Sequence, residues 1–359
     1  MKKLAILLAL SATSPVMAQD QAAAPLANTA PVTAPDTAPF QWKLRLQAGQ
    51  KLRTTSETLS LNSQQMPAMK GMEGGMNMEN TSKVRFIIDQ NVLSVDEKGA
   101  RIEMIYREMT QTSRVMQGGK LVYDSANPPA EMKGFADMGK NIVGAQLSFL
   151  LSPQGKISEI EGVEAYANRV LEGTEKAVTP SPQTEAAQKN IREMMKGMMS
   201  SEFLEKTLSA AYGAMPTTPV ALGASWNFES TMPMMGTTFT DSGKNTFRSR
   251  AKGIVSISQS GSFTSDAGAA FKVPLPANKL GEPAPVSQLD LSGTSTGEIE
   301  VDEASGLTLK SRISQRMNGE MVISGMAGKG SILTIPMQME SETTSTTEIL
   351  GAQEPIAAN

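Results

Sequence analysis

The residues with the most specific chemistry to offer are methionines. Met66, Met69, Met72, Met76 and Met78 crowd into one short stretch rich in glycine. Thioethers are soft donors that select Cu(I) or Ag(I), and a loop closing on itself would place them around such an ion. A second group, Met194, Met195 and Met198, falls at helical spacing and would line an apolar cavity for a lipid tail or another hydrophobic ligand. Each group also has a plainer reading. The chain holds 25 methionines, and methionine is an adaptable filler of cores. Binding of a hydrophobic ligand is the first expectation, Met-based Cu(I) or Ag(I) binding the alternative, and a structural surface protein without small-molecule ligand the third.

Other chemistries are limited by composition. There is no cysteine and no histidine, which removes disulfides, Cys nucleophiles, histidine bases and Cys/His zinc sites. Carboxylates alone could support glycoside hydrolysis. Glu159 and Glu161, and Glu298, Glu300 and Asp302, alternate along strands as a solvated face does. No nucleophile, base and oxyanion donor come together in any motif, so a non-enzymatic protein without cofactor is expected. A net charge of −3 leaves no electrostatic footprint for nucleic acid.

The first residues place the chain in the cell. Lys2 and Lys3 precede an apolar run from Leu4 to Leu10, and Val16-Met17-Ala18 offers a cleavage site. Residues 1–18 therefore read as a secretory signal, and the mature chain as exported, periplasmic or extracellular and soluble. The run is too short to span a bilayer, and no later segment is long enough. Residues 19–39 are rich in Ala, Pro and Thr and read as a linker. Residues 351–359 read as a tail.

Between these ends, residues 40–350 read as a single β-rich domain. Phe40, Trp42, Leu44 and Leu46 alternate with polar residues, as in a strand with one wet face. The Thr- and Ser-rich stretch from Lys51 to Leu61 is expected to pair with it across Ala48-Gly49-Gln50. Asp96-Glu97-Lys98-Gly99 joins Lys83–Val95 to Ala100–Met116, and Asp302-Glu303-Ala304-Ser305-Gly306 joins Thr296–Val301 to Leu307–Ile323; acidic turns ending in glycine suit hairpins. Leu307, Leu309, Ile313, Met317, Met321 and Ile323 share one face of their strand, with Lys310, Arg312, Arg316 and Glu320 on the other. Gln146–Leu151 and Lys156–Glu161 form a third hairpin, and Ser331–Ile349 is the last strand. A helical insertion at about 162–215 comprises Val163–Lys176 and Pro182–Met215, with a break near Ser200-Ser201-Glu202.

The expected fold class is α+β, mainly antiparallel β: a long curved sheet of hairpins, as a half-barrel or barrel, with a central helical segment on its concave side or in its mouth. An outer-membrane barrel fits poorly, because aromatics make up only 4% of the chain and such barrels carry aromatic girdles.

A series of turn and strand motifs adds a resemblance. It runs through Leu-Arg-Leu-Gln-Ala-Gly-Gln from Leu44, Phe-Ile-Ile-Asp-Gln-Asn-Val-Leu-Ser-Val-Asp from Phe86 and Tyr123-Asp124-Ser125. Leu-Ser-Pro-Gln-Gly-Lys-Ile from Leu151, Leu-Gly-Ala-Ser-Trp from Leu222 and Leu-Ser-Gly-Thr-Ser-Thr-Gly-Glu-Ile-Glu-Val-Asp from Leu291 complete it. Over about residues 40–350 the chain resembles an uncharacterised family of exported bacterial proteins with a domain of unknown function. The resemblance implies export and a β-rich fold and transfers no catalytic residue. Many members look like lipoproteins; this chain departs there, having no cysteine to acylate.

Overall fold

The computed structural model describes residues 38–67, 75–127, 141–169, 200–212, 215–234, 237–266, 270–272, 286–324 and 332–351. Its strands are β1 (Lys51–Met66), β2 (Met76–Val95), β3 (Ala100–Gln117), β4 (Lys120–Asp124), β5 (Gln146–Leu151), β6 (Ile157–Glu161), β7 (Ser225–Met234), β8 (Thr237–Ala251), β9 (Ile254–Ser265), β10 (Ala270–Lys272), β11 (Val286–Asp302), β12 (Thr308–Ser324) and β13 (Ile332–Leu350). Among the described residues, two helices, α1 (163–169) and α2 (Ser201–Tyr212), lie between β6 and β7.

The strands form one antiparallel sheet in the order β6-β5-β3-β2-β1-β13-β12-β11-β9-β8-β7, with β4 on β3 and β10 on β11. The sheet is curved and not closed: β6 and β7 are its two edges. The acidic-turn hairpins form as their turn residues dictate, as β2–β3 and β11–β12. The central pairing is β1 with β13, which ties the first strand to the last over fourteen residue pairs from Lys51↔Leu350 to Gln64↔Met337.

Residues 40–46 correct one expectation. Their alternation holds, with Phe40, Trp42 and Leu44 buried and Gln41, Lys43 and Arg45 exposed. They do not pair with β1, whose two sides are taken by β2 and β13. Instead the segment crosses the lower end of the sheet as a strap. Phe40 bridges to Val220 beside β7, Arg45 N–H donates to Ser305 O, and Leu44 N–H donates to Pro153 O in the β5–β6 turn. Trp42 Nε1 donates to Gly306 O at 2.9 Å. Gly306 has φ +73°, and a Cβ there would lie 2.1 Å from Lys43 O, so this crossing needs glycine for conformation and for space.

The helices sit at the same end. Ser200 Oγ caps α2 by accepting from Phe203 N–H at 3.2 Å. The helix packs on both sheet edges, β6 and β7, and buries Leu204 among Leu52, Ile102, Leu147 and Phe149. On α1, Tyr166 meets Tyr106 of β3. The helices therefore lie on the concave side, and α2 spans the gap that hydrogen bonding leaves between β6 and β7. Among the described residues, no helix is long and apolar enough to cross a membrane.

The outward face is charged and cross-linked by ion pairs: Arg53 and Arg107 to Asp89, Lys83 to Glu57, Arg85 to Glu108, Arg312 to Glu342 and Arg316 to Glu340. A face of this kind is hydrated.

Candidate functional site

The inward face can be read strand by strand from the register, because residues opposite each other in a ladder point to the same side. Even-numbered residues of β1 and β2 and odd-numbered residues of β13, β12, β11, β9 and β8 (before its bulge after Phe247) point inward. Three zones succeed one another along it.

The upper end is mainly apolar, with the buried amides Asn62, Gln64 and Asn80 set into it on β1 and β2. Met66, Met78, Met317, Met321, Met337 and Met339 are buried with Phe239, Phe263, Leu289, Leu291, Ile323 and Ile335, and Met76 packs against them. Below it runs a row of small or polar side chains across the strands: Gly243, Gly261, Ser295, Gln315, Ser341, Ser60, Ser82 and Ser113. The serines in this row are 1–4% exposed. At Gly243 and Gly261, which face each other, a Cβ would come within 2.1 Å of Ser260 O and 2.7 Å of Ser242 O. The inward side of this tightly bent sheet has no room there for a side chain.

The third zone opens the concave face. Below the row, Thr54, Ser56 and Thr58 of β1 stand opposite Thr347, Ser345 and Thr343 of β13. Their hydroxyls pair across the strands: Thr54 Oγ1 with Thr347 Oγ1 at 3.1 Å, Ser345 Oγ donating to Ser56 Oγ at 3.0 Å, and Thr58 Oγ1 with Thr343 Oγ1 at 3.0 Å. On one side of this hydroxyl spine stand Ile88, Phe86 and Val84 of β2. On the other stand Leu309, Ser311 and Ile313 of β12. All of these positions are half-buried, and Ile88 and Leu309 also pack against the core of the lower end. The result is a trough with a polar floor and apolar walls.

The charges on the inward face lie outside the trough. Asp241 of β8 accepts from Ser295 Oγ at 2.8 Å; burial holds its carboxyl above the ordinary range, with the serine acting the other way. Arg250 pairs with Glu303 at 2.9 Å and lies over the Phe247 ring. At the lower end, burial raises the phenols of Tyr106 and Tyr166, which hydrogen-bond to each other, so both stay neutral. No group of His, Cys, Asp and Glu among the described residues could hold a metal ion.

Of the methionines singled out for metal binding, Met66, Met76 and Met78 meet at the end of the β1–β2 hairpin, with Met66 opposite Met76. The fold adds Met317, Met321, Met337 and Met339 to them. Met69 and Met72, and the ligand-lining candidates Met194, Met195 and Met198, lie outside the described residues. The hydroxyl spine was not among the expected sites. Its signal is present in sequence as Thr54-x-Ser56-x-Thr58-x-Ser60 and Ser341-x-Thr343-x-Ser345-x-Thr347, two period-2 hydroxyl runs that acquire meaning only once β1 and β13 are known to be neighbours.

The chain belongs to the family described as "Family of unknown function (DUF6263)", which matches residues 97–308. No curated protein matches it. Among solved structures it is similar to a lipovitellin chain described for its lipid–protein interactions, at 10% identity and a TM-score of 0.38; the match covers 88% of this chain and 27% of that one. It is also similar to OmpF of Salmonella typhi in complex with daunomycin, at 8% identity and a TM-score of 0.20, covering 82% of this chain and 98% of that one. Likenesses this weak carry no argument. This chain spans only about a quarter of the lipovitellin chain.

Proposed function

We propose that this member of a family of unknown function is an exported, non-enzymatic binding protein that holds a lipid or similar hydrophobic ligand in its concave trough. The observation that carries the reading is the half-burial of Val84, Phe86 and Ile313 on the inward face, with Ile88 and Leu309 joining these walls to the lower core. Apolar side chains on a concave wall with a few convergent polar groups are what small-molecule sites are made of. The hydrated outward face and the signal-like first residues fit a protein that works in water outside the cytoplasm. Among the described residues, Asp241 and Arg250 on the inward face are each held by a partner, and the Ser295 hydroxyl beside Asp241 is buried away from the trough, which favours binding over catalysis.

The test is native mass spectrometry of the purified chain, delipidated and then exposed to a total lipid extract. Retention of a stoichiometric apolar species is expected, and Phe86→Asp should abolish it while the far-ultraviolet circular dichroism stays unchanged. A wild-type chain that retains nothing would reject the reading.

Soft-metal binding has one observation of its own: the fold brings four further thioethers to Met66, Met76 and Met78. They nevertheless pack as core residues among aliphatic and aromatic side chains, with the buried amides Asn62 and Gln64 beside them. Packing accounts for the whole cluster, so lipid binding is preferred.

A further inference from the structure

We infer that the occupant of the trough is an uncharged two-chain amphiphile, with ester or hydroxyl groups on the Ser/Thr spine and a hydrocarbon chain along each wall. The inference rests on the binding reading above and narrows it to a chemical class.

Charge is the first argument. Thr54, Ser56, Thr58, Thr343, Ser345 and Thr347 form the floor, and Val84, Phe86, Ile88, Leu309, Ser311 and Ile313 the walls. None of these can ionise. The inward charges on the described strands are already engaged, Asp241 with Ser295 and Arg250 with Glu303. A phosphate, carboxylate or ammonium brought into this half-buried floor would give up water and meet no counter-charge among the described residues. A neutral head has no such cost.

Hydrogen-bond inventory is the second argument. In each pair of the spine one hydroxyl donates to the other, and the accepting hydroxyl keeps its own proton to donate. Successive pairs are two residues apart, about 7 Å along the strands. The floor therefore offers spaced O–H donors, which ester carbonyls satisfy as acceptors without bringing charge.

Shape is the third. Apolar walls stand on both sides of the polar floor: Val84, Phe86 and Ile88 on β2, Leu309 and Ile313 on β12. A single chain would cover one wall and leave the other wet. Two chains flanking a polar centre cover both.

The experiment loads the delipidated full chain with dioleoylglycerol, dioleoylphosphatidylglycerol, oleate or a dioleoyl trimethylammonium lipid, and compares retention by native mass spectrometry. Dioleoylglycerol should be held at least about tenfold more tightly than any charged probe, the scale expected for desolvating an unpaired charge. Equal retention of a charged probe would overturn the inference and leave the binding reading standing. Retention of no probe and of nothing from a total extract would remove both. The double variant Thr58→Val, Thr343→Val keeps side-chain shape and removes one hydroxyl pair. It should weaken dioleoylglycerol by about fivefold to tenfold, the worth of a hydrogen bond, while squalene, which has no acceptor, is held as by the parent. A double variant that melts normally and binds dioleoylglycerol unchanged would also overturn the inference.

Discussion

The upper end and the trough are built on the same strands by the same alternation, yet one is core and the other is open. On β13, Ile335, Met337 and Met339 are 0–5% exposed, and only a few residues on, Thr343, Ser345 and Thr347 are half-exposed on the same face. On β12, Met317 and Met321 are buried where Leu309 and Ile313 are not. Leucine and isoleucine are no less apolar than methionine, so residue type does not explain the difference. What covers each zone does. At the upper end long side chains from neighbouring strands, the buried amides Asn62, Gln64 and Asn80 among them, fill the concave space, whereas at the trough the short hydroxyls of β1 and β13 leave the walls half-buried. Periodicity assigns a side chain to a face; whether that face is filled is a separate, tertiary property.

A charge in each zone gives the largest expected contrast. Ile335→Asp places a carboxylate in a site with no exposure, and should cost several kcal/mol or unfold the chain, since neither charge nor methyl groups find partners there. Ile313→Asp enters a half-exposed wall and should cost about 1 kcal/mol, while eliminating ligand retention. Equal losses in urea melts would mean that the trough is core.

A smaller contrast lies in the pH dependence of two carboxylates on opposite faces. The guanidinium of Arg53, by its hydrogen bond, holds Asp89 below the usual carboxylate range, with Arg107 assisting. Its contribution is present above the unfolded value of about 4 and is lost as pH falls through the lower folded value. Asp241 is held above the usual range by burial. Its charge therefore weighs against the fold above the raised folded value, and that penalty disappears as pH falls towards the unfolded one. Asp89→Asn should lower stability at neutral pH only modestly, because both arginines are about half exposed and solvent screens the pairs. Asp241→Asn should leave stability unchanged or slightly raised at neutral pH and remove that gain on acidification. Melting curves from pH 3 to about 7 separate the two; the same sign for both variants would contradict the inward placement of Asp241.

Met66→Leu, Met76→Leu and Met78→Leu together test the upper end without changing its apolar character. Volume is nearly conserved, so each should cost less than about 1.5 kcal/mol. Cu(I) titration of the same variant gives the contrast its edge. Loss of a tight site would make the upper end a metal centre, and an unchanged titration would leave it as core.

Much of this architecture is legible in the chain itself. Asp96–Gly99 and Asp302–Gly306 mark their turns because such residues form tight turns, and a hairpin needs only the strands beside it. The alternation through Leu307–Ile323 assigns the inward face correctly, with Met317, Met321 and Ile323 buried. Phe40, Trp42 and Leu44 are likewise legible as a buried face. Their partner is not: an apolar stripe states that something must cover it and does not say what. The strap finds Val220, Ser305 and Pro153, far away in sequence.

The trough belongs wholly to that second category. Hydroxyl runs in Thr54–Ser60 and Ser341–Thr347 are visible in the sequence, but either alone is an ordinary polar strand face. Local chemistry determines turns, strand faces and a capped helix, because those depend on residues within a few positions of one another. The pairing of β1 with β13, with Thr54 and Thr347 separated by 293 residues, is decided only when the chain closes. A ladder hydrogen bond is the same whichever strand supplies it, so backbone chemistry cannot choose the partner; side-chain complementarity across the assembled sheet does.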